Sequence, residues 1–431
     1  MNYKDEIELL PDILQKGLGR AFDYVQQNNQ LEIRTYLLNA CLHNLVYDPQ
    51  CETSRAEWLF QLVNATGDRS FYRKNIFQTL PKTNNFWDLS QLYDLVYIWT
   101  KQGDLEAKEI IYSTFSKQTF HESWLGGEQI IALDGIQGLL AVAEIVGSRI
   151  LQDCELWEDD NLIAQARESY GSEEVTLALE KGSLHNLKVK AYLDAVQAYQ
   201  QKNAHIKHDR QSKNRAVDFD TIVRKIEGKI NNFYLLRKFA LYAPDNDIEK
   251  VFEKLLLETR ETQLVRYLWI FKYRLFPRLD SHLFHLAASN QNKIQSATIT
   301  TLALNQNNSL RDLAIRLIQQ NPDSVTNGVL KLFIKNYNPG DFEIIESTLD
   351  ISQDIEFRHQ VGLDIIEIIE VQRTSELVNC CFWVYENTPC SHCRQKIVEI
   401  LISLQKITPS IVKECLFDCS LEIQALVKDY I

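Results

Sequence analysis

Arg34-Thr35-Tyr36-Leu37-Leu38-Asn39-Ala40-Cys41-Leu42 is the stretch that decides the fold class. Its apolar residues Leu37, Leu38, Cys41 and Leu42 stand at i, i+1, i+4 and i+5. That spacing gathers them on one face of a helix and would scatter them over both faces of a strand. The rhythm returns along the chain. Asp88-Leu89-Ser90-Gln91-Leu92-Tyr93-Asp94-Leu95-Val96 repeats it, Gly103 stands where a helix should stop, and Asp104 is placed to cap the next helix through Leu105, Ile110 and Ile111. Ser54 followed by Glu57 reads as a capping box ahead of Trp58, Leu59 and Leu62.

Turn signals at Pro244-Asp245-Asn246, Phe276-Pro277, Asn305 to Asn308, Asn321-Pro322-Asp323, Asn338-Pro339-Gly340 and Thr408-Pro409-Ser410 separate segments about one helix long. With 15 glycines and 9 prolines in 431 residues, the chain has too few turn formers for an all-β fold. Hydrophobic residues at 45% and charged residues at 24% are ordinary for a folded protein. The expectation is an all-α protein, more than about 60% helix with essentially no sheet.

Four segments share a loose template: Arg73-x-x-Ile76-x-x-x-Leu80, Arg311-x-x-Ala314-x-x-x-Ile318, Arg358-x-x-Val361-x-x-x-Ile365 and Arg394-x-x-Ile397-x-x-x-Leu401. The last three are separated by 47 and 36 residues. On these residues the chain resembles the HEAT-repeat family, most clearly over residues 220–431. The resemblance implies an α-α superhelix, a HEAT- or armadillo-like solenoid of antiparallel helix pairs.

The N-terminus, Met1 to Glu8, is acidic where an export signal would be apolar, and the apolar stretch Ile130 to Ile150 is interrupted by Asp134, Gln137, Glu144 and Arg149. No membrane association is expected, and the compartment is read as cytoplasmic. In that reducing setting the 9 cysteines are expected as thiols. Residues 201–216 are polar and basic, with only Ala204, Ile206 and Ala216 apolar. They read as a linker or long loop between an N-terminal acidic helical domain, 1–200, and C-terminal helical repeats, 217–431.

Net charge is −12 but unevenly spread. Residues 1–200 hold 17 basic against 29 acidic side chains, 201–300 hold 18 against 11, and 301–431 hold 11 against 18. A basic middle between acidic flanks argues against a long polyanion laid along the chain.

Chemistry-bearing motifs are sparse. No Walker-type or dinucleotide glycine loop, zincin motif or nucleophile elbow occurs, so no catalytic residue and no cofactor is assigned. Gly126, Gly127, Gly135, Gly138 and Gly147 read as close-packing positions, with an unrecognised helical active site around them as a third-ranked reading. Cys390-x-x-Cys393 and Cys415-x-x-x-Cys419 have zinc-like spacing, but at helical positions they read as buried thiols without metal.

The cations Lys207, Arg210, Lys213, Arg215, Arg266, Arg274 and Arg278 are the expected partner-binding residues. Trp269, Lys272 and Tyr273 interleave aromatics with cations among them, although Leu268, Trp269 and Lys272 are expected to point different ways. The function that follows is a protein–protein interaction scaffold or adaptor whose partner carries an acidic patch. The alternative is nucleic-acid binding through 202–278, since the resemblance extends to HEAT-type DNA glycosylases, which bind DNA on a basic concave face.

Overall fold

The computed structural model describes residues 9–27, 31–118, 122–153, 155–212, 217–228, 233–352 and 354–430. It is 75% helical, and no strand occurs among the described residues. Both apolar positions of all four template segments (Ile76 and Leu80, Ala314 and Ile318, Val361 and Ile365, Ile397 and Leu401) are buried.

The chain divides into two compact units. The first comprises 1–213 and 413–427, the second 214–412 and 428–431. The helix Leu187–Ser212 runs through most of 201–216, the segment expected as a linker or long loop, and the two units part at Lys213–Asn214. Residues 213–216 lie outside the described residues. Polarity alone does not end a helix: Gln, Lys, Arg and Ala are good helix formers. The C-terminal region also gives up 413–427 to the first unit. There Trp58 Nε1 donates to the carbonyl oxygen of Phe417 (2.9 Å), Arg20 pairs with Glu414 (2.7 Å), and the Cys419 amide donates to Gly17 O (3.0 Å).

Within the first unit, Leu10–Lys16 packs on Leu31–Leu42, that helix on Phe86–Lys101, that on Trp124–Gln152, and that on Leu187–Ser212. Two bridges link successive parts. Arg34 pairs with Asp68, the N-cap of Arg69–Thr79, and Arg73 grips Asp104 through two bonds of 2.7 and 2.9 Å. Asp104 also accepts from the Ala107 amide, so one carboxylate both caps Leu105–Lys117 and anchors the preceding helix. The Ser54–Glu57 capping box does not form. Ser54 donates instead to Asp94 (2.6 Å), and Glu57 pairs with Lys101 (3.0 Å).

The helix Trp124–Gln152 corrects the hydropathy reading. Its 29 residues contain a window of 18 with mean hydropathy 1.8, long and apolar enough to cross a membrane by length and composition. Isoleucines, leucines, valines and alanines between the sparse charges raise the average. The helix breaks at Gly135 (φ +59°), and the Tyr170 hydroxyl donates to Ile131 O at 3.1 Å, one turn before the break. A Cβ at Gly147 would sit 1.8 Å from the Lys188 carbonyl oxygen, so this glycine sets the approach of Leu187–Ser212.

In the second unit, Phe233–Tyr242, Glu261–Phe271, Asn292–Leu302, Val329–Phe333, Ile355–Gln372 and Ser391–Ser403 pack consecutively, each against the next. Intervening helices pack beside them. Arg311 grips Asp341 through Nε and Nη2 at 2.6–3.0 Å, the counterpart of the Arg73–Asp104 bridge. Loose carbonyls at the ends of elements are taken by side chains further along. Arg266 reaches Ile226 O, Arg274 Ala240 O, Lys335 Leu304 O, Asn336 Asn305 O and Gln372 Ile334 O, at separations of 31 to 40 residues.

Candidate functional site

Of the seven expected cations, Arg266, Arg274 and Arg278 have described side chains. Lys207 and Arg210 fall on the last turns of Leu187–Ser212 in the first unit, while Lys213 and Arg215 lie outside the described residues. The other three belong to the second unit and are engaged within it. Arg266 Nη1 donates to Ile226 O (2.8 Å) and Gly228 O (2.5 Å), closing the C-terminal end of Phe219–Glu227. Arg274 Nη1 does the same for Phe233–Tyr242 through Ala240 O (3.2 Å) and Ala243 O (3.0 Å), and its Nη2 donates to Asp245. Arg278 forks between Glu249 and Glu253 with its guanidinium over the Phe252 ring. A cation at a helix C-terminus meets the negative end of the helix dipole, so Arg266 and Arg274 hold neighbouring helices together.

A groove of about 430 Å³ lies between Glu261–Phe271 and Asn292–Leu302. Val265, Leu268, Trp269 and Lys272 line one wall, at i, i+3, i+4 and i+7. Asn292, Lys293, Ser296, Ala297 and Thr300 line the other, again along one helix face. The expectation that Leu268, Trp269 and Lys272 diverge is thus corrected. Positions i, i+1 and i+4 share a face broad enough to put Leu268 at the buried floor, Trp269 half-buried in the wall and Lys272 at the exposed rim. Small side chains at Ser296 and Ala297 leave the space open.

Aromatic groups extend the wall. Phe233 and Trp269 lie 4.5 Å apart between ring centroids, and Tyr273 continues the row at 6.1 Å from Trp269. Lys272 Nζ sits 4.8 Å over the Trp269 ring, and the Arg237 guanidinium 5.3 Å over Tyr273. The charged residues lining this groove, Lys272 and Lys293, are both cations. Two larger grooves in the first unit, of about 630 and 750 Å³, carry both signs: Glu155 and Asp194 with Lys202, and Glu144 and Glu174 with Lys181.

Several carboxyls are held above their ordinary range by burial. Glu158 is pushed up to about 7 by desolvation, against the opposing hydrogen bond from Ser123. Asp364, fully buried, is also raised to about 7 by desolvation, with Gln360 donating to it at 2.7 Å and Lys331 4.0 Å away. Asp94 and Glu128 are both raised, first by burial and then by a like charge, which for Glu128 is Asp94 itself. The Tyr93 hydroxyl beside them donates to Gln118.

Of the zinc-like cysteines, Cys390 and Cys393 lie on or beside the first turn of Ser391–Ser403 in the second unit, and Cys415 and Cys419 belong to the first. The residue that joins Cys390 and Cys393 is His359, unmarked in the sequence, from the neighbouring helix Ile355–Gln372. No family model matches this chain, and neither the curated proteins nor the solved structures contain a match to it.

Proposed function

We propose that the protein is an interaction scaffold of stacked helix pairs, arranged as a HEAT-like solenoid, and that the Trp269 groove takes an extended segment of a partner protein. The consecutive packing of Phe233–Tyr242 through Ser391–Ser403 supports the stacked arrangement, as do the side-chain ties between residues 31 to 40 apart. The observation that carries the binding role is the groove itself: an apolar floor and aromatic wall, rimmed by Lys272 and Lys293 without a lining carboxylate. That chemistry fits a segment in which acidic residues flank one aliphatic or aromatic side chain. The apolar group displaces water from Leu268 and Trp269 while the carboxylates meet the lysines.

Single-stranded nucleic acid is the competing occupant, because Phe233, Trp269 and Tyr273 offer stacking faces beside cations. Selection from a random displayed peptide library on purified protein separates the two. Enriched peptides should carry acid–apolar–acid patterns and be lost with Lys272→Glu/Lys293→Glu, each lysine contributing about 0.5–1 kcal/mol. Enrichment without acidic residues, or tighter lysine-dependent binding of oligo(dT) than of any selected peptide at physiological salt, overturns this reading.

A further inference from the structure

We propose that Cys390, Cys393 and His359 form a zinc site with three protein ligands and an open fourth position. Their ligating atoms all lie within 4.8 Å of one another. Tetrahedral zinc, with bonds of about 2.3 Å to sulfur and about 2.0–2.1 Å to nitrogen, needs its ligands about 3.5–3.8 Å apart. The three side chains therefore have to draw in by no more than about 1.3 Å, within the reach of side-chain rotation.

Two helices supply the donors from fixed positions. Cys390 is the residue that caps Ser391–Ser403, and Cys393 lies in that helix's first turn, so the two thiols leave the same helix end. His359 lies in the second turn of Ile355–Gln372, which packs directly on Ser391–Ser403. Both cysteines are buried, at 7% and 4% exposure, while His359 is half-exposed. The cysteine side of the site is thereby shielded from solvent.

Two thiolates and an imidazole select a soft or borderline ion and exclude calcium and magnesium, which take oxygen. Spaced on helices, the four cysteines by themselves read as buried thiols without metal. Supplying the third donor from His359 changes the donor set.

The test uses the full chain purified without chelator. We expect one zinc per chain by elemental analysis, and cobalt(II) reconstitution should give a thiolate charge-transfer band with a tetrahedral visible spectrum. Cys393→Ser should abolish the charge-transfer intensity. His359→Ala should weaken zinc at least tenfold in competition with a chromophoric chelator, and Cys415→Ser should leave binding unchanged. Helicity measured by circular dichroism identifies any variant that fails to fold, and the wild-type chelator titration decides the proposal by itself. Less than a tenth of an equivalent of zinc with no cobalt spectrum refutes the site. So does a Cys390–Cys393 disulfide in the isolated protein, or loss of metal on Cys415→Ser.

Discussion

Replacing Glu158 with Gln should make the protein more stable, and increasingly so as pH rises. The carboxyl is 5% exposed, accepts a hydrogen bond from Ser123, and is surrounded by Arg149, Asp159 and Tyr192. Desolvation dominates and lifts its folded value from 4.5 to about 7. An unfolded chain gives up this proton near 4.5, whereas the folded chain holds it until about 7. Stability is therefore full below 4.5 and falls as pH rises between those two values, because the unfolded state is the better acid. Integrated over that interval, the cost is about 2 kcal/mol at pH 6 and about 3 kcal/mol at pH 8.

Glutamine removes the titration, keeps an acceptor for Ser123 and fits the same volume. Five of the 7 tryptophans, Trp58, Trp87, Trp99, Trp124 and Trp157, lie in the first unit with Glu158, so tryptophan fluorescence chiefly reports the relevant transition. Urea unfolding of both proteins at pH 5, 6, 7 and 8 should show the variant's advantage growing by about 2 kcal/mol or more across the series. A difference that stays constant with pH would mean that Glu158 ionises normally, and the account of its burial would be wrong.

Two further substitutions probe the packing. Gly147→Ala places a methyl group against the Lys188 backbone carbonyl, which cannot rotate away; a loss of about 1–3 kcal/mol should appear in the same urea assay, and an unchanged midpoint would show that the two helices separate freely. Arg311→Ala leaves the buried Asp341 carboxylate without its guanidinium. It should cost about 3 kcal/mol, largely regained in Arg311→Ala/Asp341→Asn, and a double variant no better than the single would show that the pair acts independently.

Period-3.6 patterning was enough to read the helices and their buried faces, as the template segments around Arg73, Arg311, Arg358 and Arg394 demonstrate. What patterning around a single residue does not contain is the neighbour across a helix–helix contact. Arg266 and Arg274 look like surface cations in a basic segment because their partners are main-chain carbonyls 40 and 34 residues away, and a carbonyl has no sequence signature. Arg73 and Arg311 were marked by the template, but their acids, Asp104 and Asp341, lie 31 and 30 residues on. His359 precedes Cys390 by 31 residues, a similar interval. In stacked helices, residues about one helix pair apart become neighbours, so a site is spread along the chain at the packing interval. The Trp269 groove obeys the same rule: its walls begin at Val265 and Asn292, and although Trp269 and Lys272 stand out in the sequence, nothing there marks the facing wall. Searching for complementary side chains 27 to 40 residues apart, rather than for compact motifs, would have brought the Arg–Asp bridges, the cysteine–histidine cluster and the groove into view together.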